Sequence, residues 1–263
     1  MDILLQVLHR IDLPINDEGR LEFFTSFPQD PVHKGSLQLR TGARIGLPST
    51  FAYQTLDDVE HSLILVGDEK VDWSSTAGNE LQNALVLSDK AKAFVIAREI
   101  YYTKSMTVQL NLILTTVCCG LAYITGSLLN DRFLLSLRLK PWARFSVFST
   151  IASAWLLFFV VVDDALHCWY DNEVDRAAAK LREIYAQGGV DYYNAVLRRN
   201  RALRTLLGSA GQKQYTYYGN VVSVWRNPSV QLTSRHDNLL KYLAEYKKEV
   251  QPEDDETEPK TGA

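Results

Sequence analysis

The stretch "FVIAREIYYTKSM", residues 94–106, decides how this chain is organised, because it joins a charged region to an apolar one. Its composition is that of a helix, and Arg98 and Glu99 stand side by side in it. Ser88 upstream is a suitable N-cap, with Asp89 in the first turn that would follow. We therefore predict a helix that begins near Ser88 and continues into a membrane.

Two uncharged runs follow this helix, and charged residues bound each of them. Residues 105–130 contain 26 uncharged positions, and residues 145–162 contain 18. A membrane span requires roughly 20 apolar residues, and the shorter run would reach about 27 Å as a helix. The short connector between them favours a transmembrane hairpin over residues 105–162, with spans at about 105–130 and 145–162. The alternative is a buried hairpin in the core of a soluble protein.

The region before the hairpin, residues 1–104, has the composition of a soluble mixed α/β half. Three stretches have strand composition between Gly and Pro residues: 21–27, 36–48 and 62–67. A helix is expected in residues 75–87, before the one that begins near Ser88. The predicted fold class is therefore α+β and mainly helical.

The region after the hairpin, residues 163–249, has the composition of a helical half. We expect it to begin with a long helix that ends at Gly188 and Gly189, since paired glycines suit a helix C-terminus. Neither half alone carries enough apolar surface to close a core, so the second half should pack on the first. Residues 250–263 are acidic and lack large apolar side chains, which predicts a disordered tail.

Composition excludes several classes of function. The net charge of −3 over 263 residues argues against a nucleic-acid partner, which normally requires a strongly basic surface. The three cysteines form no disulfide framework, and no two histidines have the spacing of metal ligands. We therefore predict no catalytic residues, no bound metal and no cofactor.

The helix around Arg98 resembles a degenerate form of the HExxH helix of membrane zinc peptidases. In those enzymes a later helix supplies the third ligand, and "NEVDR" places Glu173 and Asp175 in the matching position here. Glu99 is retained, while Arg98 and Tyr102 stand where the two histidines would be. The resemblance implies a degenerate zinc-peptidase-like domain interrupted by the hairpin. We expect Arg98 to pair with Glu173 or Asp175, or else to lie with Glu99 on an exposed helix face.

Two further stretches are similar to the transmembrane protein 177 family. They are "VDWSSTAGNELQNALVLSDKAKAFVIAREIYY" and "AQGGVDYYNAVLRRNRALRTLLGSAGQKQYTYYGNVV". The resemblance implies a multi-pass protein of the mitochondrial inner membrane that supports maturation of cytochrome c oxidase subunit 2, alongside that subunit's membrane chaperone. Family members carry several dozen residues, with import information, before the position of Met1.

Two other functions stay open from the residues. The first is a membrane-embedded metallopeptidase with an atypical site. The second is a structural protein that organises membrane lipids, for which four arginines of one predicted helix could meet anionic head groups. These are Arg198, Arg199, Arg201 and Arg204. A solvated helix face is the alternative reading of the four.

Overall fold

A computed structural model describes residues 2–11, 14–27, 29–133, 139–223, 226 and 229–250, and the chain is mainly helical. In chain order the helices are α1 (Asp2–Ile11), α2 (Ile15–Glu18), α3 (Thr76–Leu85), α4 (Asp89–Lys104), α5 (Thr107–Phe133), α6 (Pro141–Ala179), α7 (Glu183–Leu206), α8 (Gly208–Gln214) and α9 (Leu232–Val250). The strands are β1 (Leu21–Ser26), β2 (Val32–Gly35), β3 (Ala43–Pro48), β4 (Leu65–Val66) and β5 (Glu69–Lys70). The predicted tail after Val250 lies outside the described residues.

Helices α5 and α6 are both long and apolar enough to cross a membrane, judged by length and composition. Their apolar side chains are mostly exposed, as the surface of a lipid-facing helix would be. Helix α6 has 39 residues and is therefore about 58 Å long, whereas the hydrocarbon core of a bilayer is about 30 Å thick. The helix is thus much longer than a membrane is thick, and its second half packs against α4, α7 and α9.

The prediction of one continuous helix from Ser88 into the membrane is wrong. The Ser88 cap is present, because its side chain accepts a hydrogen bond from the backbone N–H of Ala91. Helix α4, however, ends at Lys104, before α5 begins. The last carbonyl groups of α4 accept hydrogen bonds from the loop after β2. The N–H of Leu37, for example, donates to the carbonyl oxygen of Thr103 at 2.9 Å. The chain can therefore turn before it enters the apolar segment.

The prediction that a helix ends at Gly188 and Gly189 is also wrong. Both glycines lie inside α7, and the break between α6 and α7, residues 180–182, ends six residues before Gly188. A Cβ on Gly188 would lie 2.1 Å from the carbonyl oxygen of Lys90. The glycine is therefore required for the close approach of α7 to the first turn of α4, which spacing along one helix could not reveal.

One hydrophobic core contains residues from both sides of the hairpin. Phe94 and Ile100 of α4 lie at its centre, with Tyr193 of α7, Leu239 of α9 and Ile45 of β3 around them. β3 is the middle strand of a three-stranded sheet, parallel to β1 and antiparallel to β2. Strand β2 was missed by the sequence analysis, and residues 36–42 are not part of a strand.

Candidate functional site

A buried group of charged and aromatic side chains lies where α4, α6, α7 and α9 meet beside β2. We call this group the ion-pair cluster. Its members are His33, Arg98, Glu99, Tyr102, Asp171, Asp175, Tyr193 and Arg235.

Asp175 of α6 is the centre of the ion-pair cluster. Arg235 of α9 binds it with two hydrogen bonds, from Nε to Oδ2 at 2.7 Å and from a terminal nitrogen to Oδ1 at 2.8 Å. The hydroxyl of Tyr193 donates to the same carboxylate at 2.9 Å. Nε of Arg98 lies 3.6 Å from Oδ1. Bidentate guanidinium–carboxylate pairs are among the strongest hydrogen-bonded contacts, so this residue ties α6 to α7 and α9.

Asp171 lies one helical turn before Asp175 and faces the same cluster. It accepts a hydrogen bond from the hydroxyl of Tyr102 at 3.2 Å, and a terminal nitrogen of Arg235 lies 3.3 Å from its other oxygen. Burial and the neighbouring Asp171 raise the pKa of Tyr102. The phenol therefore stays protonated and acts as a donor to the carboxylate.

Glu99 of α4 is almost completely buried, with 1% of its surface exposed. Nδ1 of His33 lies 2.7 Å from its Oε2, and a terminal nitrogen of Arg98 lies 3.4 Å from its Oε1. Burial alone would raise the pKa of Glu99, but Arg98 and His33 outweigh it and lower the pKa. The imidazole also stacks on the ring of Tyr102, with centroids 4.3 Å apart. Glu99 is therefore held as a carboxylate without contact with solvent.

Arg98 supplies charge to the cluster more than it supplies hydrogen bonds. Burial would lower its pKa, but Tyr193, Glu99 and Asp175 raise the pKa well above the usual arginine value. Within the described part of the chain, its buried Nε and Oε1 of Glu99 lack a hydrogen-bond partner. The guanidinium group thus acts as a fixed positive charge between two carboxylates.

The donor set of the ion-pair cluster does not suit a metal ion. Within the described ranges, no three His, Cys, Asp or Glu side chains are grouped so that they could hold one. Oxygens of Asp175 are occupied by Arg235 and Tyr193, and two guanidinium groups lie where a cation would have to sit. A bound cation would experience direct repulsion from these fixed charges.

The structure brings four of the five predicted site residues together: Arg98, Glu99, Tyr102 and Asp175. Glu173 is exposed and lies outside the cluster, so of the two expected ion pairs Arg98 makes the one with Asp175. The alternative of an exposed face for Arg98 and Glu99 is wrong, because both side chains are directed into the core.

Sequence reasoning missed the other four members of the ion-pair cluster, which are His33, Asp171, Tyr193 and Arg235. Asp171 and Asp175 are four residues apart, and this spacing could have shown two carboxylates on one helix face. Arg235 lies on the same apolar stripe as Leu232 and Leu239, where an arginine requires a buried partner. His33 carried no signal, because it comes from a short strand 66 residues before Glu99.

The four arginines proposed as a lipid-binding face do not share one surface. Arg199 is buried and forms an ion pair with Asp30 at 2.8 Å. Arg204 is partly buried, and its Nε donates to the carbonyl oxygen of Tyr215 at 3.1 Å. Arg198 and Arg201 are exposed. Both readings of the four as a single face, lipid-bound or solvated, are therefore wrong.

Comparison with known proteins gives a family match over most of the chain. The family model described as "Transmembrane protein 177" matches residues 25–258. Human transmembrane protein 177 is 34% identical over 220 residues, which cover 82% of this chain and 70% of the human protein. The zebrafish protein of the same name is 31% identical over 245 residues, which cover 88% of this chain and 76% of the relative. No solved structure matches the chain significantly.

Proposed function

The chain belongs to the transmembrane protein 177 family, and on this premise we propose that it is a non-catalytic assembly factor of the mitochondrial inner membrane. Its client would be cytochrome c oxidase subunit 2, which it would stabilise during maturation together with that subunit's membrane chaperone. The family resemblance supplies this role and location. The two candidate membrane helices are consistent with an integral membrane protein.

The observation that supports a non-catalytic role is the pairing of Asp175 with Arg235 and Arg98. A zinc peptidase needs neutral imidazoles and carboxylates around an open coordination position. Here Arg98 and Tyr102 stand where the two histidines would be, and Arg235 and Tyr193 occupy the oxygens of Asp175. We regard the soluble part as a degenerate relative of the membrane zinc-peptidase domain, which keeps the scaffold and uses ion pairs in place of the metal.

The long helix α6 supports a role that couples the membrane to the soluble part. It carries the second candidate span in its first half and Asp171 and Asp175 in its second half. Because the ion-pair cluster fixes that second half to α4 and α9, the orientation of the hairpin is linked to the soluble core. A client with its own membrane helices and soluble domain could contact both parts at once.

The client assignment is tested in cells that lack the endogenous relative and express this chain with an import sequence and an affinity tag. We expect newly made subunit 2 and its chaperone to co-purify with the tagged chain, and the half-life of subunit 2 to be restored. An unchanged half-life together with the absence of subunit 2 from the purified complex would contradict the assignment.

The non-catalytic assignment is tested separately by elemental analysis of the purified full chain. We expect zinc far below one equivalent, and no change when the protein is washed with chelator. Stoichiometric zinc that is lost in an Asp175→Asn variant, together with cleavage of a membrane peptide by the wild type, would instead support an atypical metallopeptidase.

A further inference from the structure

A groove of about 390 Å³ lies between α5 and α6, near the end of the hairpin where the two helices are connected. Each helix contributes one face to it, with lining residues spaced four apart, as neighbours on a helix surface are. From α5 these are Ala122, Gly126 and Asn130, and from α6 they are Arg144, Phe148 and Ala152.

The end of the groove beside the connector is polar. Nε of Arg144 and Oδ1 of Asn130 are both buried, and neither has a hydrogen-bond partner within the part of the chain that the structure describes. One atom is a charged donor and the other is an acceptor. A group that satisfies both must accept one hydrogen bond and donate another.

The rest of the groove is mostly apolar, with Tyr123 and Ser127 as the residues there that carry hydroxyl groups. Phe148 and Ala152 continue from Arg144 toward the middle of the hairpin over eight residues, which is about 12 Å along the helix. Gly126 faces the ring of Phe148, where a Cβ would already be at 3.2 Å, so the helices approach closely at the floor of the groove. The polar end of the groove matches a lipid head group, and its apolar length matches an acyl chain.

The residues around the polar end of the groove favour a negatively charged ligand. Unsatisfied polar groups are costly in a membrane, because little water is present to hydrogen-bond them. Arg132 and Lys140 flank the connector end, with Asp131 as the nearby acidic residue of the same segment. This local excess of positive charge attracts an anionic head group to the same end as Arg144.

We propose that this groove binds one glycerophospholipid whose anionic head group carries a phosphodiester and a hydroxyl. The phosphate accepts a hydrogen bond from Nε of Arg144, and the hydroxyl donates to Oδ1 of Asn130. An acyl chain lies along Phe148 and Ala152. The lipid completes the contact between the two membrane helices at their connected end.

The test uses the full chain reconstituted with equal amounts of phosphatidylglycerol and phosphatidylcholine, followed by native mass spectrometry after detergent washing. We expect one retained phosphatidylglycerol per chain. An Arg144→Gln variant should retain it about tenfold less, because a charge-assisted hydrogen bond is lost. The matched control Arg132→Gln removes an exposed charge at the same end of the hairpin. It should reduce retention far less than Arg144→Gln does, because an exposed charge contributes only screened long-range attraction.

A second variant, Ala152→Trp, fills the apolar part of the groove and leaves every charge in place. It should also lose the retained lipid, and far-UV circular dichroism should show wild-type helicity. Equal retention of the two lipids by the wild type would overturn the proposal, as would unchanged retention in Ala152→Trp. Equal losses in the Arg144 and Arg132 variants would show diffuse surface attraction and would overturn it as well.

Discussion

Helices α4 and α5 are separated by two residues, yet their surroundings are opposite. Helix α4 carries Lys92, Arg98 and Glu99 and is buried along most of its length. Helix α5 is free of charge over most of its length and is exposed along most of it. In a water-soluble protein the charged helix would be outside and the apolar helix inside. The reversal indicates that the two helices meet different solvents.

The side chains of the two helices are stabilised by different surroundings. On α4, every buried charge contacts a group from another element: Nζ of Lys92, for example, donates to the carbonyl oxygen of Tyr53 at 2.7 Å. On α5, exposed side chains such as Leu112 and Leu128 require a hydrocarbon environment. Helix α6 joins the two regions. Its first half is apolar and exposed like α5, and its second half carries buried charged residues like α4.

The largest effect on the unfolding free energy is expected from a substitution in the part of α6 that belongs to the ion-pair cluster. An Asp175→Leu substitution leaves Arg235 and Arg98 as buried charges without their central partner, which typically costs about 3–5 kcal/mol of unfolding free energy. Chemical denaturation in mild detergent, followed by tryptophan fluorescence, would measure the loss. Glu173→Leu is the matched control, because Glu173 is exposed two residues away and should change stability by less than about 0.5 kcal/mol. Similar losses in both would show that the cluster does not stabilise the fold.

A smaller effect is expected from adding one methyl group to each region. In Gly188→Ala the new Cβ meets the carbonyl oxygen of Lys90 at 2.1 Å, so α7 must move away from α4. Overpacking of this kind typically costs about 1–3 kcal/mol. Gly120→Ala on α5 has nothing within 4 Å and should be tolerated. Thermal unfolding of both variants would compare them directly, and a stable Gly188→Ala protein would contradict the close helix contact.

The smallest effect on stability is expected from protonation of Glu99 at acid pH. Its pKa is lowered in the folded chain, mainly by Arg98 acting against burial, so the stabilisation is present above the unfolded value of about 4.3. It is lost as the pH falls below that value and through the lowered pKa. In Glu99→Gln this part of the acid dependence should be absent. Unfolding midpoints measured between pH 3 and 7 would show it, and identical acid slopes in both proteins would contradict the assignment.

The sequence was sufficient for features that depend on composition within one segment. The two uncharged runs predicted both candidate spans, and Ser88 predicted the start of α4. The pairing of Arg98 with an acidic residue of "NEVDR" was also expected. Each of these follows from residue type and from spacing along a single helix.

Features that depend on contacts between distant segments could not be predicted in this way. Gly188 had the pattern of a helix end, and only the approach of Lys90 explains its position inside α7. Strand β2 is four residues long and contributes His33 to Glu99 without any local pattern. The end of α4 at Lys104 depends on hydrogen bonds from the loop after β2.

The most direct test of the account is a double-mutant cycle on Arg235 and Asp175, because the claim is that this pair fixes the membrane-entering helix to the soluble core. We expect Arg235→Leu and Asp175→Leu each to cost about 3–5 kcal/mol in denaturation experiments. The double variant should cost far less than the sum, since it leaves neither of the two charges unpaired. Strictly additive losses would contradict the account, because the two side chains would then act independently.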